Sequence, residues 1–159
     1  MRSEELDPED LRRFREQTLY RLLLRARRAE NDEMVPRIRA RGYPDLQTSY
    51  PGLLANLDTT GTSLTALAAK AGVTRQAASQ HIAEIEARGY VERRPDPADG
   101  RAVIVVRTER GQRLLLTALD VVAQLEGEYE QLVGERRLSS MKRTLADLLD
   151  HIDTSGKLE

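Results

Sequence analysis

The stretch that decides the fold is "VTRQAASQHIAEIEARG", residues 73–89. Its apolar residues recur at spacings of four and three, which predicts one buried stripe along an α-helix, made of Ala78, Ile82 and Ile85. Thr74 suits the N-cap of this helix, and Gly89 suits its end. We therefore predict a helix over 74–88.

The side opposite this stripe is unusual for a solvated helix. It has no acidic residue before Glu84, and its first two turns carry Thr74, Arg75, Gln76, Ala77, Ser79 and Gln80. Glutamine pairs with adenine N6 and N7, arginine with guanine O6 and N7, and an alanine methyl contacts the methyl of thymine. The face therefore suits a DNA major groove. The alternative is the solvated side of a packed helix pair, because a fold does not determine a function.

A shorter helix precedes this one. In "TSLTALAAKAG", residues 62–72, either Thr62 or Ser63 suits the N-cap and Gly72 suits the end. The residues predicted to face inward are Leu64, Leu67, Ala68 and Ala71. Two helices separated by a few residues that include a glycine form a helix-turn-helix.

A β-hairpin is predicted directly after the second helix. "YVERR" (90–94) and "AVIVVRT" (102–108) are rich in β-branched residues, and "PDPADG" between them is a loop. The segment is basic through Arg93, Arg94, Arg101 and Arg107. Such a hairpin is a wing whose tip reaches a minor groove, and Asp99 suits orienting Arg101 through a charge-assisted pair. The alternative is an ordinary turn, in which the aspartates are turn formers.

An amino-terminal helix is predicted before this segment. Asp7 suits its N-cap, Pro8 its first position, and Pro36 is expected to end or kink it. Its apolar stripe is Leu11, Phe14, Thr18, Leu22 and Ala26. A break follows at 41–45, and a short helix is expected within 46–57.

Two further helices are predicted after the hairpin. The first runs from about Thr108 to Val133, with Gly127 and Gly134 bracketing its end, and Ser139 or Ser140 caps the second. The expected fold is mainly α with a small β-hairpin wing (α+β). We expect a winged helix-turn-helix over 46–113, flanked by dimerisation helices over 1–45 and 114–159.

Composition excludes several classes of protein. Cysteine is absent from the 159 residues, which removes disulfides and thiol chemistry and suits a cytoplasmic protein. No apolar run reaches the roughly 20 residues of a membrane span, and no signal peptide is visible. No phosphate loop or nucleophile motif indicates an enzyme or a cofactor, and His81 and His151 lack metal-ligand spacing. Residues 61–113 hold nine Lys and Arg against six Asp and Glu, which favours a polyanion partner.

From about Leu46 to Leu116 the chain resembles the MarR (multiple antibiotic resistance regulator) family of bacterial transcription factors. The resemblance is carried by the helix over 74–88 and then by "YVERR", "DPADGR" and "RTERGQ", in that order and spacing. It implies a homodimeric regulator, most often a repressor, that presents two winged domains to a palindromic operator. It also implies that Arg75, Gln76, Ala77, Ser79 and Gln80 occupy recognition-helix positions, and that Asp99 and Arg101 match the family's Asp-x-Arg wing tip.

The chain departs from the family pattern at several places. Ala77 and Ala78 stand where a β-branched pair is common, and His81 stands where an apolar residue is usual. Pro36 and "SYPGLL" make the region between the first helix and the helix-turn-helix irregular, so the family's pocket residues there are not carried over.

A homodimer is also favoured by the terminal helices, which are more apolar than one small domain needs to bury. The residues concerned are Leu11, Phe14, Leu22, Leu145, Leu148, Leu149 and Ile152. The alternative is an intramolecular helical core. Family members often bind small aromatic or phenolic effectors, and Tyr20, Tyr43 and Tyr50 are the residues we expect near such a ligand, although tyrosines of this kind also serve as core residues. A winged-helix module that binds another protein instead of DNA is the competing functional hypothesis.

Overall fold

The computed structural model describes residues 7–97 and 102–155. Within them the chain forms seven helices and three strands. Their bounds are α1 Pro8–Gln17, α2 Leu19–Ala40, α3 Tyr50–Leu54, β1 Thr62–Ser63, α4 Leu64–Ala71, α5 Arg75–Ala87, β2 Val91–Pro95, β3 Val103–Arg107, α6 Glu109–Val133 and α7 Glu135–Ser155. The expected fold class, mainly α with a small antiparallel sheet, is confirmed. The chain divides into two compact units, Met1–Ala118 and Leu119–Glu159.

The amino-terminal segment forms two helices where one was predicted. Asp7 caps α1 through a hydrogen bond from the Glu9 amide, and Pro8 occupies its first turn, as expected. Thr18 then leaves the helical conformation, and its hydroxyl donates to the Phe14 carbonyl and accepts from the Arg21 amide. Assigning Thr18 to a continuous apolar stripe was therefore wrong, because its hydroxyl caps the helix that follows.

Pro36 lies inside α2, which continues to Ala40, so of the two predicted effects, an end or a kink, the helix does not end at the proline. Proline removes one backbone donor and disfavours a helix interior. Here the residues around it are buried core, namely Met34, Val35 and Ile38. Their packing on the rest of the unit maintains the helix through the proline.

The centre of the first unit is the predicted stripe of α5. Ala78, Ile82 and Ile85 are fully buried, as expected, and Leu67 of α4 is buried with them. Gly72 ends α4 in the left-handed conformation, with φ of 65°, and the Val73 amide donates to the Ala68 carbonyl at 3.0 Å. This glycine turn produces the predicted helix-turn-helix.

The sheet has three antiparallel strands in the order β1-β3-β2. The predicted hairpin pairs Val91 with Arg107 and Pro95 with Val103, and is confirmed. The additional strand, β1, has two residues and pairs Thr62 with Val105. Gly61 precedes it at φ of 102°, where a Cβ would lie 2.7 Å from the Val106 side chain, so the position requires glycine.

The second unit contains α6 from Leu119 onward and the whole of α7. Gly134, with φ of 87°, separates the two helices, whereas Gly127 lies inside α6 and does not bracket its end. α7 begins at Glu135, so the predicted caps Ser139 and Ser140 are wrong. The Leu138 amide donates to the Gly134 carbonyl and closes the first turn of α7. No helix of the described residues is long and apolar enough to cross a membrane.

Candidate nucleic-acid interface

The outward face of α5 is the first part of the site. Thr74 is the N-cap, and its hydroxyl oxygen accepts a hydrogen bond from the Ala77 amide at 3.2 Å. The first turn contains no acidic residue. Of the side chains predicted for DNA contact, Thr74, Arg75, Gln76 and Gln80 are exposed, and Ala77 and Ser79 are half-buried. Small residues at the latter two positions keep the face low enough for another surface to approach.

A cleft of about 310 Å³ lies where the starts of α4 and α5 meet the sheet. It is lined by Ser63, Leu64, Thr65, Arg75, Arg93, Ala102, Val103 and Val105. Two guanidinium groups and the amino-terminal end of α4 therefore border the same space. The positive end of a helix and the guanidinium group of Arg75 both favour an anion such as a phosphate, whereas the guanidinium group of Arg93 is already paired with Glu86.

The wing, which we define as the β2–β3 hairpin, distributes its arginines unequally. Arg94 is exposed and pairs with Glu92 on the same strand. Arg93 instead contacts α5. Asp99 and Arg101, the predicted tip residues, lie outside the described residues, so their role stays a prediction.

Arg107, one of the four arginines that make the hairpin segment basic, bonds to backbone at the end of α3. Its Nη2 donates to the carbonyl of Leu54, the last residue of α3, at 2.8 Å and to the carbonyl of Leu57 at 2.7 Å. Burial lowers the pKa of Arg107, and nearby Asp58 opposes that effect. The reason is that the last carbonyls of a short helix need donors, and Arg107 supplies them from the neighbouring sheet.

The carboxyl-terminal end of α5 is held by a polar cluster that sequence reasoning missed. Arg110 Nη2 lies 2.9 and 3.2 Å from the two carboxylate oxygens of Asp45, and Arg110 Nη1 donates to the Arg88 carbonyl at 2.7 Å. The Tyr90 hydroxyl donates to the same carboxylate, and the Arg110 guanidinium lies 4.5 Å from the centroid of the Tyr90 ring. The cluster joins the turn after α2, the end of α5 and the start of α6.

Ionisation in this cluster follows from its contacts. Burial alone would raise the pKa of Asp45, but hydrogen bonds from Tyr90 and Arg110 outweigh it and lower the pKa below the ordinary value. Burial, together with the hydrogen bond to Asp45, raises the pKa of Tyr90 far above the ordinary tyrosine value. Asp45 is therefore an anion and Tyr90 a neutral donor over the physiological pH range.

The three tyrosines predicted near an effector have different surroundings. Tyr20 on α2 is 63% exposed, whereas Tyr43 and Tyr50 are buried. The Tyr43 ring lies 6.2 Å from that of Tyr90, and the Arg88 guanidinium lies 5.4 Å from the Tyr50 ring. None of the three lines a second cleft of about 430 Å³, which is bordered by Leu24, Arg27, Arg28, Asn31, Asp32, Thr48 and Ser49. Their ligand role stays a prediction.

The described residues contain no group of three potential metal ligands from His, Cys, Asp and Glu. His81 lies on α5 with its Nδ1 3.9 Å from a Glu84 carboxylate oxygen. This pair belongs to the surface of one helix.

Comparison with known proteins gives consistent results. A family model described as the MarR family matches residues 45–102. The transcriptional regulator HosA of Escherichia coli O111:H- is 32% identical over 96 residues, which make up 59% of this chain and 71% of HosA.

Solved structures share the fold over most of the chain. The transcriptional repressor CouR bound to a 23-mer DNA duplex has a TM-score of 0.66 at 24% identity, covering 91% of this chain and 99% of CouR. CouR from Rhodococcus jostii RHA1 bound to p-coumaroyl-CoA has a TM-score of 0.62 at 26% identity, covering 82% and 87%.

Proposed function

This chain belongs to the MarR family of transcriptional regulators, which are not enzymes, and from that premise we propose that it is a homodimeric repressor of a palindromic operator. α5 enters the major groove and the wing reaches the neighbouring minor groove. The contact residues are Thr74, Arg75, Gln76, Ala77, Ser79, Gln80, Arg94, Asp99 and Arg101.

The observation that carries this proposal is the face of α5. The first turn of α5 is exposed and free of carboxylates, and it lies beside a sheet that carries exposed arginines. Structural packing alone does not require this combination. An acid-free helix start avoids repulsion from phosphates, and the Thr74 hydroxyl, which already accepts from Ala77, still has a proton to donate to one. Gln76 and Gln80 lie one turn apart, both are exposed, and each suits adenine.

Dimerisation is supported by apolar side chains that the single chain leaves exposed. They lie on α1 and α2 and, separately, on α6 and α7, and include Phe14, Leu19, Leu22, Leu23, Leu24, Leu132, Met141, Leu149 and Ile152. Leu132 is 81% exposed. Exposed apolar surface on several helices marks an interface. One winged domain offers few contacts to DNA. A dimer increases the affinity, because two winged domains spaced by about 34 Å meet successive turns of one duplex.

A small-molecule effector is the remaining part of the proposal. CouR binds p-coumaroyl-CoA, which combines a phenolic ring with phosphates. In this chain, the cleft beside α2 is bordered by Arg27 and by the hydroxyl residues Thr48 and Ser49, which suit an anionic group, while Arg28 in the same lining is paired with Asp32. An aromatic or phenolic effector that binds only the dimer arrangement unable to hold DNA would increase the population of that arrangement and so release the operator.

The test is a selection of bound sequences from random duplex DNA with the purified full chain. We expect enrichment of a palindrome whose half-sites lie about one helical turn apart, and an affinity that falls steeply with salt. Recovery of no sequence preference, with salt-insensitive binding to a protein partner, would instead support the protein-interaction module.

Base reading is tested separately with single variants. Gln76→Ala and Gln80→Ala are expected to relax discrimination by about 1–3 kcal/mol at individual bases. Gln112→Ala, an exposed glutamine on α6, is the matched control. Uniform weakening on every sequence would contradict base reading by α5. Arg101→Ala should greatly weaken operator binding while the dimer remains folded, and unchanged affinity would contradict the wing assignment.

A further inference from the structure

One side chain of the wing extends along the recognition helix. The Arg93 backbone amide donates to Glu86 Oε1 at 3.0 Å, and Arg93 Nη1 lies 3.2 Å from Glu86 Oε2. Arg93 Nη2 donates to the Ser79 carbonyl at 3.3 Å. Both carboxylate oxygens of one glutamate are therefore engaged by one residue, which also bonds to the helix backbone two turns earlier.

The geometry constrains how the wing meets α5. Ser79 and Glu86 are seven residues apart, so their α-carbons lie about 10 Å apart along the helix axis, and Arg93 reaches them from two separate points, its backbone amide and its guanidinium group. A single contact would allow the strand to pivot about one point, whereas contacts at two separated points resist rotation. Charge-assisted bonds that engage both carboxylate oxygens also hold a narrower geometry than a simple ion pair does.

We propose that Glu86 and Arg93 are positioning residues that set the angle between the wing and α5, so that both reach adjacent grooves of one duplex. This inference rests on the proposed DNA-binding function. Arg93 then acts through the neighbouring strand residues and is not itself a phosphate contact. Glu86 acts in the same way from the helix, although it is an anion close to the reading face.

The proposal predicts the opposite change in DNA affinity from the one that charge alone predicts for a Glu86 variant. Glu86 is 33% exposed on a helix that is proposed to enter DNA, so removing its charge should strengthen binding if electrostatic repulsion decides. If Glu86 positions the wing, its removal should weaken binding despite the reduced repulsion. Glu92 provides the control, since it is a carboxylate on the same hairpin that pairs with Arg94 and not with α5.

The experiment compares the wild type with Glu86→Ala, Glu86→Gln, Arg93→Ala and the double Ala variant, with Glu92→Gln as the control. Operator affinity is measured on the duplex selected by the wild type, and each variant is checked for an unchanged thermal transition. Hydroxyl-radical footprinting reports protection of the minor groove. Methylation protection of guanine N7 reports contact in the major groove.

We expect Glu86→Ala and Arg93→Ala each to weaken binding about tenfold, with the double variant no weaker than either, because they break one shared contact. Minor-groove protection should be lost while major-groove protection remains, and Glu86→Gln should show the same loss in a milder form. Glu92→Gln should bind at least as tightly as the wild type. A change in fold stability alone would not separate the two grooves in this way.

Two results would overturn the inference while leaving the proposed function intact. The first is tighter or unchanged binding by Glu86→Ala with full minor-groove protection. The second is weakening by Arg93→Ala alone, which would make Arg93 a direct phosphate contact. Failure of the wild type to select any duplex would overturn the proposed function, and the positioning role with it.

Discussion

Gly111 in the first turn of α6 is the position where the structure predicts the sharpest response to one methyl group. A Cβ at Gly111 would lie 1.9 Å from the Tyr90 carbonyl oxygen and 3.0 Å from its carbon. A carbon and a carbonyl oxygen normally approach no closer than about 3.3 Å, so Gly111→Ala requires a displacement of roughly 1.5 Å. Both obstructing atoms belong to backbone, which cannot rotate away as a flexible side chain would.

The displacement would occur where the end of α5 is bonded to the start of α6. The Thr108 hydroxyl donates to the Gly89 carbonyl at 2.6 Å, the Thr108 amide to the Tyr90 carbonyl at 3.2 Å, and Arg110 to the Arg88 carbonyl at 2.7 Å. Overpacking costs about 1–3 kcal/mol, and the loss of two of these three hydrogen bonds costs about 2 kcal/mol more. The better helix propensity of alanine returns about 1 kcal/mol. The free energy of unfolding should therefore fall by about 2–4 kcal/mol.

The assay is urea unfolding at one fixed protein concentration, because the apparent stability of the proposed dimer would depend on concentration. Gly127→Ala in the same helix is the matched control, since a Cβ there meets no atom of the described residues within 4 Å. We expect that control to raise stability by about 0.5–1 kcal/mol. If Gly111→Ala were as stable as Gly127→Ala, the close approach of α6 to the end of the recognition helix would be refuted.

Three further variants test the contacts around the site. The fold lowers the pKa of Asp45 below its ordinary value of 3.8, so the ionised Asp45 carboxylate stabilises the fold above pH 3.8. This stabilisation is lost as the pH falls through the lower pKa of the folded state. Urea midpoints measured from pH 7 to pH 2 should therefore fall less in Asp45→Asn than in the wild type. Arg107→Met should lower the urea midpoint, because the Leu54 and Leu57 carbonyls lose their donor, while the salt dependence of operator binding stays unchanged; a reduced slope would make Arg107 a phosphate contact. Thr74→Ala should cost about 1 kcal/mol of stability through the lost N-cap, measured by thermal unfolding, and no loss would contradict the cap.

Local signals were sufficient for the recognition helix. Its buried stripe, its N-cap at Thr74 and the glycine turn at Gly72 all depend on residues within one or two turns of each other, and all three are confirmed. The same local rules failed at Thr18, and at Pro36 they allowed an end or a kink, of which the end did not occur. At Thr18 the spacing allows a place in the apolar stripe or an N-cap, and the sequence does not distinguish them. At Pro36 tertiary packing maintains the helix despite the proline.

Contacts between distant residues could not be predicted from the pattern. Asp45 and Arg110 are 65 residues apart, and nothing near either one in the sequence indicates the other. Strand β1 has two residues, too few to show an alternation, and exists because β3 offers it a free edge. The choice of partner for Arg93 is of the same kind. A run of arginines predicts a basic strand but does not indicate which guanidinium faces solvent and which faces a helix.

The winged domain has fewer unpaired positive charges available for DNA than its composition indicates, and this is a reason for the proposed dimer. Lys70, Arg93 and Arg94 each pair with a carboxylate in the described residues. A cation that must leave such a pair to meet a phosphate gains only the difference between the two interactions, so few positive charges in one head add fully to counterion release. Arg75 on α5 and the cap residue Thr74 are exposed, and in the proposed complex they form a small set of phosphate contacts. Because affinity from so few contacts is weak at physiological salt, the proposed operator binding requires two winged domains, and the exposed apolar side chains of the helices suit the proposed dimer.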